Sequence, residues 1–268
     1  VKQLKEKLEI FLRSEENEGS AGLEISGMLL GDVVGNMVES KYSPGITFVA
    51  SHACANTYQT GIAMNVVELI RTTKNEIREE IKKIIDDIVK GDINSKVEEL
   101  RWILDAIINS EEECMDARYA ASRLLGAINN DDSIVIEHIM LLAKATLVVE
   151  RIMEELTLGQ VGKETIEEAE KVLSEVMLSQ IEITQNENEV LIKEKNKKGE
   201  KTLAQIKMTK TGEGEGYISF YYTNPATKAS LELMMERTGK QADIMGYEWI
   251  GWNLLPIYGG ETIRVVDG

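Results

Sequence analysis

Between Ser133 and Leu158 the chain reads SIVIEHIMLLAKATLVVERIMEELTL, and few folds can accommodate that run. Ile134, Ile136, Ile139, Leu141, Leu142, Leu147, Val148, Ile152 and Leu156 fall on nearly every side of a 3.6-residue helix. A helix that is apolar all round must be surrounded by other elements. The stretch therefore predicts a central helix. Glu137, Lys144 and Glu150 interrupt it, and it never reaches the roughly 18 uninterrupted apolar residues of a membrane span.

Several helical patterns can supply the surrounding layer. Residues 2–13 place Leu4, Leu8, Phe11 and Leu12 on one face. From Leu23 to Val38 a second pattern carries Gly27, Gly31 and Gly35 at four-residue spacing, a smooth side where another backbone can approach. Glycine costs about 1 kcal/mol in a helix interior, so three of them imply compensating packing. YSPG then marks a turn before a helix expected from Ala50 to Arg71. Residues 74–90 carry Ile77, Ile81, Ile84, Ile85 and Ile88 on a narrow stripe, the pattern of a surface helix or short coiled-coil arm. Gly91 stops it, and Asp92 or Asn94 can cap a helix from Lys96 to Asn109. Further helices are expected over 112–128 and 164–178.

After Ser179 the apolar period changes. IEITQNENEVLIKEK, KTLAQIKMTK and GYISFYYT alternate or run β-branched and aromatic, with turn residues at 186–188, 198–200 and 212–214. We read three strands in a meander, a helix from Ala226 to Thr238 and a last strand from Thr262 to Val266. The fold class is α+β: a predominantly helical bundle over 1–180, then a small C-terminal antiparallel sheet with one helix over 181–268.

Charge narrows the choice of partners. The net charge of −16 repels phosphate backbones and anionic lipid, so neither nucleic acid nor a membrane is an expected partner. Basic residues cluster at Lys193, Lys195, Lys197, Lys198 and Lys201, but Glu194 and Glu200 interleave them, as on a solvated hairpin end. Cys54 and Cys114 are too few for a disulfide framework. With no signal-peptide pattern, the expected setting is reducing and cytoplasmic.

Two local resemblances stand out. DARYAASRLLGAINNDDS, Asp116 to Ser133, resembles the first helix and turn of a HEAT-like repeat, matched at Asp116, Arg118, Ala120, Ala121, Leu125, Gly126, Ile128 and Asp131. It covers about residues 116–150 and implies a helical hairpin; a solenoid needs at least about three such repeats. GMLLGDVVGNMVE, Gly27 to Glu39, resembles the opening helix of ADP-ribosylglycohydrolases, which implies that Asp32 and Glu39 lie near magnesium. That family needs paired aspartates soon afterwards, and residues 40–75 contain none, which removes the carboxylates such a metal site requires.

Candidate chemistry is sparse. His52 and Cys54 form the chain's His-x-Cys, and with Tyr58 they make a candidate ligand-binding set facing the Gly27–Gly35 helix. On a helix, however, two residues at this spacing point about 200° apart, so packing is the simpler role. His138 lies inside the central helix beside Glu137, in a place for a satisfied core histidine. No phosphate loop, dinucleotide fingerprint or metalloprotease helix is present, and no metal or cofactor is expected. Tyr247, Trp249, Trp252 and Tyr258 belong to an aromatic concentration between residues 217 and 258, and Tyr and Trp are favoured in contacts.

These features point to a non-enzymatic binding or scaffold protein. It would self-associate through its helical part and meet a protein partner or an apolar small ligand through Tyr247, Trp249, Trp252 and Tyr258. The alternatives are an enzyme or small-molecule sensor with a pocket at His52, Cys54 and Tyr58, and an assembly subunit of a virus or filament.

Overall fold

The computed structural model describes residues 44–130, 135–197, 199–212, 215–223, 230–237, 247–255 and 263–265. The patterns at 2–13 and 23–38, including Gly27, Gly31 and Gly35, lie outside them, as does Tyr258. Among the described residues seven helices precede a sheet, an α+β fold. The helices are α1 (Pro44–His52), α2 (Thr57–Thr72), α3 (Asn75–Val89), α4 (Ile93–Asn109), α5 (Met115–Asn130), α6 (Ile136–Thr157) and α7 (Lys163–Met177).

The expected central helix is α6, which packs against α1, α2, α3 and α7. Ile139, Met140, Leu142, Val149, Ile152 and Met153 are fully buried along it. The HEAT-like resemblance implied that α5 and α6 pair, but the main partners of α5 are α2 and α4. Its small residues Ala117, Ala120, Ala121 and Ala127 allow that close approach. Nor is α3 a free arm: Ile81, Ile84, Ile85 and Ile88 are buried against α4 and α6, so the isoleucine stripe is spent within the chain.

The helix expected from Ala50 to Arg71 is two helices. Cys54 takes a left-handed φ of 52°, and the Asn56 side chain accepts the Gln59 N–H at 2.7 Å, starting α2 afresh. Of the YSPG turn, Tyr42 and Ser43 lie outside the described residues, while Pro44 opens α1, a first-turn position where its missing N–H costs nothing. Gly91, at φ 100°, follows the end of α3 at Val89 and stops that helix as expected, a conformation that favours glycine.

Helix gives way to strand between Met177 and Gln180. The strands are β1 (Gln180–Asn186), β2 (Glu189–Asn196), β3 (Gly199–Gly212), β4 (Glu215–Thr223), β5 (Ser230–Arg237), β6 (Tyr247–Leu255) and β7 (Ile263–Val265). They form one antiparallel meander in sequence order. Four strands stand where three were expected, and the helix expected over Ala226–Thr238 is strand β5 across Ser230–Arg237. Leu, Met and Glu favour helix there. Leu231, Leu233 and Met235 nevertheless recur with period two opposite Tyr222, Phe220 and Ile218 of β4, and pairing overrides propensity.

Register gives the sheet two unlike faces. One row crosses all seven strands through Ile183, Ile192, Ala204, Tyr222, Leu231, Leu254 and Ile263, apolar at every step. A row on the other face runs through Thr184, Leu191, Gln205, Tyr221, Glu232, Asn253 and Arg264. Helix α7 packs on β1, and α6 reaches β3. The β1 edge is closed by α7, whose Ser174 hydroxyl and Glu170 carboxylate accept the Ile181 and Ile183 N–H groups at 2.9 and 2.8 Å. Side chains thereby occupy positions where another strand could add.

Candidate functional site

His52 stands at the C-terminal end of α1, where it joins the helical layer to the sheet. Its ring centroid lies 4.6 Å from that of Phe48 and 6.0 Å from that of Tyr222. Phe48 in turn meets Phe220 at 5.5 Å and Tyr222 at 5.7 Å, with Phe220 and Tyr222 6.1 Å apart. These tilted and edge-on arrangements are the favoured ones, each worth about 0.5–1.5 kcal/mol beyond burial. The His52 Nδ1–H donates to the Phe48 carbonyl at 2.9 Å, which leaves Nε2 as the acceptor of a neutral ring. Burial holds the imidazole down at about 4, against a smaller opposing pull from that hydrogen bond. Tyr222 is fully buried and its hydroxyl has no hydrogen-bond partner among the described residues, and burial pushes its phenol well above the ordinary value, with the Ser51 side chain acting weakly the other way.

Cys54 and Tyr58 lie beyond this cluster. Cys54 is an exposed free thiol in the left-handed turn after α1, and Tyr58 is exposed in the first turn of α2. Of the three expected ligand-binding residues, His52 alone enters the aromatic cluster. No group of three or more His, Cys, Asp or Glu side chains among the described residues could hold a metal ion. No helix among them is long and apolar enough to cross a membrane.

For β6 the backbone register is informative. Trp249 pairs with Met235, and Trp252 with Leu233. The register shifts between Met234 and Met235, and Tyr247 stands opposite Arg237.

A cleft of about 330 Å³ opens between α3 and α6, with Glu168 of α7 at its margin. Ile70, Ile85, Leu147 and Val148 are its apolar lining, and charged side chains stand around them. Lys144 is bonded to Asp86 and lies 3.9 Å from Glu168, which Arg151 meets at 3.5 Å. Glu150, with 6% of its surface exposed, is paired with Arg71 from α2. Arg151 also donates to Glu155 at 2.9 Å. The Glu155 carboxylate accepts the Gly162 N–H at 2.7 Å and the Thr165 hydroxyl at 2.8 Å, tying α6 to the start of α7. Burial pushes this carboxyl up, but those hydrogen bonds outweigh it and hold it below its usual value. Most of these charges are paired with one another, as in an ion-paired seam between helices.

The outer side of α4 and α5 has a different chemistry. Leu100, Leu104 and Ile107 mark the core side of α4, and Ala117, Ala120, Ala121 and Leu124 that of α5. At about 100° per residue, Trp102, Met115 and Tyr119 fall on the far sides of these two packed helices. Trp102 is 77% exposed, Met115 76% and Tyr119 59%. The Arg123 guanidinium lies 5.8 Å from the Tyr119 ring centroid. Sequence reasoning missed this set because Trp102 lies inside the helix expected from Lys96 to Asn109 with no pattern that singles it out. Its place opposite Leu100 and Leu104 was the available signal. No family model, curated protein or solved structure matches the chain.

Proposed function

We propose that the protein acts by binding, as a scaffold whose packed helical layer offers the outer face of α4 and α5 to another macromolecule. One observation carries this reading: Trp102, Met115 and Tyr119 keep most of their surface in water on adjoining helices. Full burial of a large apolar side chain is worth about 1.5–3 kcal/mol, which these residues forgo in the isolated fold. Trp, Tyr, Met and Arg are also the types enriched where proteins meet. The isoleucine stripe of α3, the other contact feature of the helical part, is buried and contributes stability instead.

The reading is tested by replacing Trp102 and Tyr119 with serine together and measuring unfolding in urea. Residues held for contact leave stability within about 0.5 kcal/mol of the parent chain. A loss above about 1 kcal/mol would assign both rings to the fold and remove the basis for the proposal.

A further inference from the structure

The exposed rings of α4 and α5 are set among carboxylates. Within residues 93–130 the charged side chains classed as exposed are Glu98, Glu99, Asp105, Glu111, Glu112 and Asp116, against Arg123 alone among the cations. Lys96, Arg101 and Lys74 each pair with one of them: Glu99 at 2.6 Å, Glu98, and Glu112 at 2.5 Å. Among the described residues no cation pairs with Asp105 or Glu111. Arg123 lies over Tyr119, with Nη1 3.4 Å from the phenol oxygen, so that cation is already engaged within the apolar set.

We infer that this face receives a basic amphipathic helix from a protein partner, an assignment that rests on the binding reading above. Two helices packed side by side leave a shallow groove between their ridges, and a third helix can lie in it. Apolar side chains of the incoming helix cover Trp102, Met115 and Tyr119, while its lysines and arginines reach Asp105, Glu111 and the neighbouring carboxylates. A second copy of this chain would bring the same acidic rim against itself, and like charges across an interface are penalised. Nucleic acid and anionic lipid meet the same repulsion. Charge thus selects the partner, and the rings supply the contact area.

Calorimetric titration of the full chain with three synthetic helices of equal length tests this. One alternates leucine and lysine faces, one has leucine and glutamate faces, and one keeps the lysines but replaces leucine with glutamine. The leucine–lysine helix is expected to bind, weakening at least about tenfold, or about 1.4 kcal/mol, with Trp102→Ser/Tyr119→Ser. Asp105→Asn/Glu111→Gln should weaken it as well, and added salt should act in the same direction. The other two helices should bind at least about tenfold more weakly.

The inference is overturned if the leucine–lysine helix does not bind, if the leucine–glutamate helix binds as tightly, or if the serine variant binds unchanged. Light scattering that shows a dimer lost in the serine variant also overturns it, by giving the face to a second copy. The urea measurement separates the two levels. A serine variant as stable as the parent keeps the contact face while the basic-helix partner falls; a destabilised one removes both.

Discussion

His52 is neutral in the folded protein because its ring is packed between Phe48 and Tyr222, with Glu194 and Lys201 as weaker and opposed electrostatic influences. Its value is about 4 in the fold and near 6.5 unfolded, so the unfolded chain takes up the proton first as pH falls. The stabilisation is complete above about 6.5 and disappears towards 4, a loss of up to about 3 kcal/mol. Urea melts across that window should show the decline, and His52→Leu should flatten most of it. Burial also lowers His138, the other histidine, so a smaller slope should remain. A second prediction concerns the buried Arg71–Glu150 pair. Arg71→Met should cost about 3–5 kcal/mol by stranding the carboxylate, and adding Glu150→Met should recover most of it. Leu178 supplies a third: it is 91% exposed at a left-handed φ of 52°, where glycine is at ease. Leu178→Gly should therefore raise the denaturation midpoint. The Phe48 contact of His52 is local, but Tyr222 and Glu150, which complete the surroundings of His52 and Arg71, come from distant segments, so neither environment was legible in the local sequence.

Elements were easier to read where one period dominated. The α3 stripe, the all-round apolar α6 and the change of period near Gln180 could be found in sequence because each rests on local repetition. What they pack against was not local. The stripe suited a coiled-coil arm as well as a surface helix, and only the placement of α4 and α6 decides between them. Ile84→Ala should cost about 2–5 kcal/mol in a urea melt without changing the solution mass by light scattering. At β5 the residues favour helix while their alternation favours strand, and the conflict is resolved by β4 alongside. The β1 edge offers a prediction of another kind. Glu170→Ala removes the acceptor from the Ile183 N–H, so amide exchange at Ile183 should accelerate while Ile181, held by Ser174, changes less. A uniform change at both would show that the whole helix–strand contact had loosened.

For the whole molecule, the decisive joint is the Phe48–His52–Phe220–Tyr222 cluster, through which the first described helix holds the fourth strand. Phe220→Ala should cost about 3–5 kcal/mol, and its effect should appear together in the helical circular dichroism and tryptophan fluorescence if the layers unfold as one. Composition announced an acidic α+β protein but not this joint, since the pairs Phe48–His52 and Phe220–Tyr222 lie far apart in sequence and share no pattern. The candidate contact face was closer to legible: the helix position of Trp102 already set it opposite Leu100 and Leu104. In the sheet, spatial neighbours are neighbours in the chain from β1 to β7. A ribosome delivering this protein therefore releases each strand beside the one just made, so the closure entropy per addition stays small and the growing edge is soon occupied. The meander is thus a schedule as much as an architecture: a helical foundation emerges first, and the sheet is then laid on it one strand at a time.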